Sequence, residues 1–516
     1  MMKKWGVLIV VSLAVFIIAI DTTMMSVAIT ALAQDLDCQI QDIQMAIALY
    51  SLVMAAGMLV GGKLATMFGT RRIFLIGIII YGIGTVTAAL APDVIVLTIG
   101  WSVIEGVGAA LMMPAVLSFL MATYDSKDRV RAFAVYAAIL VGGAAIGPII
   151  GGVFTTYISW RWAFGMEAFI VAAVLANSRF LVGQEKAEKR PRLDWGGVAL
   201  SSAGLVFLVA GVINVNTPRM IIGGVLLLLF LLWQRRQERR GNETLVPTSL
   251  FRNRNFMTGT STNLVIQLSI GAILFCIPFF LQTMLHANAF DTGLAVLPLT
   301  MGMLALTFVT ARLVTRIKIK YLTIIGIVIM IAGTILVANL FSPGMTVMSL
   351  TPGFALIGIG MGLSMSQIGN LTLSSAKPGE TNEASGLHNT FLNLGRSIGT
   401  AAVGALMLTF FLSGLVGGID NSAVLPQQDK NELTVLLTDS SKHMELKEFE
   451  AAVEEKLGDY PDEYIGELKG IGANAAVGSM RTTFYILAGI LGGGLVISLF
   501  LPKRKLIDTG SETGLI

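Results

Sequence analysis

The chain has 516 residues, 54% of them hydrophobic and only 13% charged, with a net charge of +4 and a mean hydropathy of +0.77. Soluble domains carry about a quarter charged residues, so one large water-soluble globule is excluded. The basic balance does not mark a nucleic-acid binder, because Lys and Arg sit in short loops between apolar runs and not on one soluble face.

Apolar runs longer than about 18 residues recur along nearly the whole chain and read as membrane-spanning helices. The first begins at Trp5, behind Lys3 and Lys4. It resembles a signal-peptide start but continues past Ala28 without an early small-residue cleavage site, which predicts a retained helix. In chain order the predicted helices cover 5–33, 43–67, 73–91, 94–122, 130–155, 162–182, 195–214, 219–234, 256–285, 291–314, 321–341, 346–374, 384–413 and 479–501. Only Val215 to Pro218 separate the pair at 195–234, so these two form a tight hairpin. Arg71 and Arg72, Arg235 and Arg236, and Arg312 and Arg316 fall on one side of this alternation, with Asp35, Asp37, Asp42 and Asp93 on the other. The bias places both termini in the cytoplasm. Residues 414–478 form a polar insertion on the outside, rich in acids from Asp420 to Glu467. Within it Leu446, Phe449, Val453 and Leu457 recur at helical spacing and predict a short amphipathic helix over Glu445–Leu457. Whether this region is a solvated cap or a partner-binding or gating element stays open at the level of sequence. Cys38 and Cys276 give no disulfide framework.

Ionisable residues inside apolar spans mark function, because each costs roughly 3 kcal/mol there. Asp21 and Glu105 both lie roughly 16–18 Å from the outer ends of their helices at 1.5 Å per residue, a depth at which they share one layer of a central cavity. Two carboxylates in one poorly solvated site do not both ionise cheaply, which suits proton coupling or cation binding. Glu167 lies only about one turn and a half into its helix; it joins that role or reaches outer water. Arg396 pairs with Asp21 or Glu105 across the cavity, or receives an anionic substrate. His388 reads as structural. Gln267, Gln367, Asn370 and Asn393 are polar points in a mostly apolar, Met-rich cavity suited to many shapes. No phosphate-binding GxxxxGK[ST] loop, HExxH, clustered Cys/His set or GxSxG elbow is present, so no ATP site, resident metal, cofactor or enzymatic centre is expected.

Two further segments concern helix packing. Gly62, Lys63, Gly69, Arg71 and Arg72 form a short basic turn between helices, and Arg312-Leu-Val-Thr-Arg-Ile-Lys-Ile-Lys320 is a degraded copy of it. Matching copies in two halves indicate an internal repeat, with the binding site between the halves. Gly143, Gly147 and Gly151 form a stripe for close helix packing, with Gly152 next to it, and Pro148 bends the helix that carries it.

The first turn resembles the signature gating loop of the major facilitator superfamily, departing at Thr66, where that family usually has aspartate. The Gly143–Gly152 stretch looks like the antiporter motif of its export branches. Asp21-Thr-Thr-Met-Met-Ser-Val-Ala-Ile-Thr30 is similar to the first-helix motif of the fourteen-helix drug:proton antiporters, departing at Ser26 and Thr30; Trp160-Arg-Trp162 and the extra hairpin fit the same branch. Ser102 stands where relatives commonly have an arginine, and Glu105 where they often have glutamine. The resemblance covers Asp21 to Arg396. It implies an all-α polytopic membrane protein with fourteen transmembrane helices: a six-helix bundle over 1–182, a two-helix insert over 183–254 and a second six-helix bundle over 255–516. It also implies proton-coupled multidrug efflux by alternating access, with Na⁺ open as the coupling ion. The partners it implies are a small amphiphilic, cationic substrate and the lipid bilayer of the cell membrane, for a monomer with no nucleic acid. Export of an endogenous lipid or anionic amphiphile anchored by Arg396, and a receptor or scaffold acting through the outer insertion, are the competing readings.

Overall fold

The computed structural model describes residues 2–124, 126–181, 193–213, 216–314, 316–373, 375–377, 381–439 and 462–502. These are helices and short connections, with no strand among them. We number the long helices in chain order. Helix α1 runs Met2–Met24, passes a 3-10 turn at Met25–Val27 and resumes as Ile29–Asp35; α2 is Ile40–Phe68 and α3 is Thr70–Ala89. Helix α4 starts at Val94–Leu97, loosens into a π segment at Thr98–Glu105 and continues as Gly106–Thr123. Then come α5 Ser126–Tyr157, α6 Arg161–Ala176, α7 Trp195–Ile213, α8 Thr217–Arg239, α9 Arg254–Met284, α10 Ala289–Leu313, α11 Ile319–Leu340 and α12 Thr351–Leu373. Helix α13 joins Thr381–Ile398 to Gly404–Asn421 through a π segment at Gly399–Val403, and α14 is Asp462–Ser498.

Twelve of these helices are long and apolar enough to cross a membrane; α5 and α6 fall outside that set, α6 having only 16 residues. Ends are set by local chemistry. Gly69, at φ 95°, takes the left-handed turn between α2 and α3. The side chains of Asp93, Asn216, Asn253 and Asn288 accept from free backbone N–H groups at the starts of α4, α8, α9 and α10. Outward-facing Ile79, Ile83, Leu228 and Leu232 are exposed, as a lipid-facing wall requires. Only 17% of the apolar stretch of α8 is buried, against 78% for α9 and 82% for α1, so the α7–α8 hairpin is peripheral and α1 and α9 are central.

Helix α1 packs on α5, α4 packs on α2 and α3, and α3 packs on α6; later in the chain α12 packs on α10 and α11, and α9 on α13 and α14. The two sets meet along α2 with α13 and along α5 with α10, while α7 touches both α2 and α13. The α2–α13 seam is a ladder of polar contacts. Gln44 Nε2 donates to the Thr400 and Ala401 carbonyls (2.8 and 3.0 Å), Ser397 Oγ to Ala48 O (2.7 Å) and Thr390 Oγ1 to Ala55 O (2.9 Å). Gln44 meets carbonyls that the π segment of α13 takes out of the regular helical pattern. Along α5, a Cβ on Gly147 would collide with Thr23 Oγ1 and one on Gly151 with Met24 O, so the glycine stripe lets α5 lie against α1. On the opposite side, a Cβ on Gly152 would come within 2.7 Å of Ala289 O in α10.

The segment 414–478 differs from the expected loop. Helix α13 stays helical to Asn421, a further helix covers Gln427–Asp439, and α14 begins as early as Asp462. These arms have an apolar contact of their own, Ile419, Leu425 and Leu433 against Tyr464, Leu468 and Ile471, and Ser422 Oγ donates to Glu467 Oε1 at 3.0 Å. An apolar run marks where lipid ends, whereas a helix continues as long as one of its faces has a partner. The amphipathic helix predicted over Glu445–Leu457 lies outside the described residues.

Candidate functional site

Asp21 on α1, Glu105 at the end of the π segment of α4 and Glu167 on α6 are all fully buried, and one carboxylate oxygen from each lies within 4.8 Å of the others. Trp101 Nε1 donates to Asp21 Oδ1 (2.9 Å), and Tyr81 OH to Glu167 Oε2 (3.2 Å). Tyr50 stacks on Trp101 at 5.9 Å, and Phe164 meets the same indole edge-on at 6.0 Å. Asp21 Oδ2, both Glu105 oxygens and Glu167 Oε1 have no hydrogen-bond partner. No Lys, Arg or His among the described residues reaches the cluster. Ser102, where an arginine is expected by resemblance, donates instead to Ala46 O at 2.7 Å. Helix α3 can approach the π segment because Gly84 has no side chain; a Cβ there would stand 2.5 Å from Glu105 N.

Glu167, which the sequence leaves open between this cluster and outer water, is buried with Asp21 and Glu105. One placement differs from the sequence reading. The acids share a layer inside the first set of helices and do not line the central cavity. Depth along a helix is legible in sequence, but the direction of a side chain around it is not. Trp101 and Tyr81, which hold the acids, were not singled out.

The central cavity, about 220 Å³, lies between the two sets of helices and is lined from α1, α2, α4 and α5 and from α9, α10, α12 and α13. Its wall is mostly apolar, with Met54, Met58, Met113, Met303, Met361 and Met365 prominent. Thr23, Gln267, Asn389, Asn393 and Arg396 supply polar points. Arg396 Nη2 lies 3.5 Å from Gln267 Oε1, and Nε has no partner. Of the two alternatives open for Arg396, the pairing with Asp21 or Glu105 is not formed in this structure. Gln367 and Asn370 have side chains outside the described residues. His388 is held by Thr260 Oγ1 (3.2 Å) and Asn263 Nδ2 (3.3 Å), away from the acids. In the α2–α3 turn Lys63 Nζ pairs with Glu243 Oε2 at 2.6 Å, and Arg71 donates to Ser178 O, tying the turn to neighbouring connections.

The model of the Major Facilitator Superfamily matches residues 11–400. The chain belongs to that superfamily. Similar curated proteins include the puromycin resistance protein pur8 of Streptomyces alboniger, 29% identical over 77% of this chain and 81% of that protein. The tetracenomycin C resistance and export protein of Streptomyces glaucescens is 27% identical over 78% and 76%. The multidrug efflux pump LfrA of Mycolicibacterium smegmatis is 25% identical over 80% and 82%. Among solved structures, a bacterial homolog of the human lysosomal transporter Spinster, inward-facing and unoccupied, aligns with a TM-score of 0.58 over 97% of this chain and 98% of that one, at 14% identity. A D-xylose-proton symporter aligns with a TM-score of 0.55 over 78% and 90%, at 17% identity. These two share the fold. This Major Facilitator Superfamily member is a multi-pass membrane transporter, not an enzyme, and its relatives are drug-resistance and efflux proteins.

Proposed function

We propose that this transporter exports drug-like amphiphiles from the cell in exchange for protons, by alternating access between bundles 1–182 and 255–516, with both termini cytoplasmic and the 183–254 insert at the periphery. The observation that carries the proposal is the cluster of Asp21, Glu105 and Glu167 with four unpartnered oxygens and no basic neighbour among the described residues. Two charges 4.8 Å apart repel by roughly 3–4 kcal/mol at an effective dielectric of 20, and neither has a cation to offset its desolvation. Protons are the counter-charge such a site takes up and gives back. The relatives' printed roles in resistance and export support an outward direction for the cargo.

Because the acids stand outside the cavity, proton and substrate do not compete for one carboxylate. They act on one another through conformation: each favours a different arrangement of the halves, and that difference is the coupling. Helix α1 is the physical link. It bears Asp21 in the cluster and Thr23 in the cavity wall, and it lies on the glycine stripe of α5, which in turn meets α10. Reconstituted protein under an imposed pH gradient tests this. Wild type is expected to move an amphiphilic dye against its gradient with matching proton entry. Asp21→Asn, which keeps the shape and the contact with Trp101, folds normally but falls to background. Flux that follows a Na⁺ gradient and ignores pH overturns proton coupling. A protein that binds dye yet moves neither dye nor protons is a receptor.

A further inference from the structure

Among the described residues lining the central cavity, Arg396 is the one that carries charge, and no acid shares the wall with it. Helix α13 places it with Asn389 and Asn393 at i, i+4 and i+7, so the three polar groups form one stripe. On the adjoining helix α9 contributes Gln267, whose Oε1 accepts the long 3.5 Å contact from Nη2. The backbone beneath is fixed. Gly271 of α9 lies directly on the Arg396 carbonyl, where any Cβ would collide, and the π segment at Gly399–Val403 follows within one turn. A guanidinium offers five N–H donors in a planar fork, yet this one has a single long contact, an unpartnered Nε and no ion pair. A part-buried cation in a mostly apolar cavity gains when an anion arrives.

We infer that the cargo of this transporter carries an anionic group, a carboxylate or a phenolate, on a bulky apolar body, and that Arg396 binds it with Gln267 and Asn393 beside it. The inference rests on the export reading above and names the substrate class of that same cavity. The planar fork matches a carboxylate in two parallel hydrogen bonds, while flexible methionines such as Met58, Met303 and Met361 adapt to the apolar part. A cationic drug would meet like charge at Arg396 and find its counter-charges inside the α1–α4–α6 cluster, behind the cavity wall.

A matched probe set tests this on the full chain in nanodiscs: pyrenebutyrate, its methyl ester and pyrenebutylamine. Wild type is expected to bind the carboxylate at least about tenfold more tightly than the amine, and more tightly than the ester. Arg396→Gln loses about tenfold for the carboxylate and stays within about twofold for the ester, which shows that the cavity is intact. Arg396→Lys recovers part of the loss, because charge returns without the fork. Carboxylate binding no tighter than that of the ester in wild type, or unchanged carboxylate affinity in Arg396→Gln, overturns the inference. Flux of the same probes in proteoliposomes separates the two proposals. Selective carboxylate binding with no pH-driven movement of any probe supports the anion site and defeats proton-coupled export.

Discussion

In α1, α4 and α6 three carboxyl groups crowd within 4.8 Å of one another, behind the cavity wall, whereas in α13 the Arg396 guanidinium faces the cavity with no acid beside it among the described residues. Each half therefore holds ionisable groups with no counter-ion among the described residues, carboxyls in one and a guanidinium in the other. Joined in a salt bridge they would cancel and do no transport work. On the two proposals made above, each finds its counter-charge in something mobile: a proton for the acids, a substrate anion for the arginine. The contrast also separates two kinds of neighbour. The acids are held by aromatic donors, Trp101 and Tyr81, which stabilise position without neutralising charge. Arg396 is held by backbone packing at Gly271 and is almost free at its head group.

The comparison depends first on α1 keeping its seat. Gly147→Val drives two methyl groups into Thr23, so it is expected to cost about 1–3 kcal/mol of stability, as overpacking does, and to uncouple the acid helix from the rest. Thermal unfolding in detergent and pH-driven efflux both report it; a variant with wild-type melting and efflux would show that the stripe is not a close-packed seam.

Glu105→Gln is expected to have a smaller effect. It removes one of three mutually repelling carboxyls while leaving Asp21 and its Trp101 contact, so export persists with a displaced pH optimum. If Glu105 were neutralised by Arg396, the same change would strand the arginine and lower expression, and adding Arg396→Gln would restore it. The separation of the two groups predicts no such rescue in the double variant.

The smallest effect belongs to the outer segment. Replacing 440–461 with a short Gly/Ser linker joins arms that already pack through Ile419, Leu433 and Ile471, so efflux is expected to stay within about twofold, close ends being bridged by short loops. Loss of efflux in a normally inserted variant would make this segment a working part.

Much of this was legible in the residues. Apolar run length exposed the helices, and lysine and arginine spacing exposed the basic turns. Counting along α1 and α4 placed Asp21 and Glu105 at one depth. Rotation about the helix axis escaped, because α4 is not a regular helix: Glu105, which lies near Asp21 and Glu167, closes a π segment over Thr98–Glu105. The ends of α13 and α14 escaped for a different reason. Beyond Leu412 their stability comes from contact between two arms distant in sequence, and no local apolar run records it.

Substrate affinity in Asp21→Asn/Glu105→Gln/Glu167→Gln, measured across pH in nanodiscs, tests the separation most directly. With acids and cargo in different places, the triple variant should bind pyrenebutyrate within about threefold of wild type, lose the pH dependence of that binding, and fail to export under a pH gradient. Collapse of binding together with transport would put the acids in the substrate site and contradict the account.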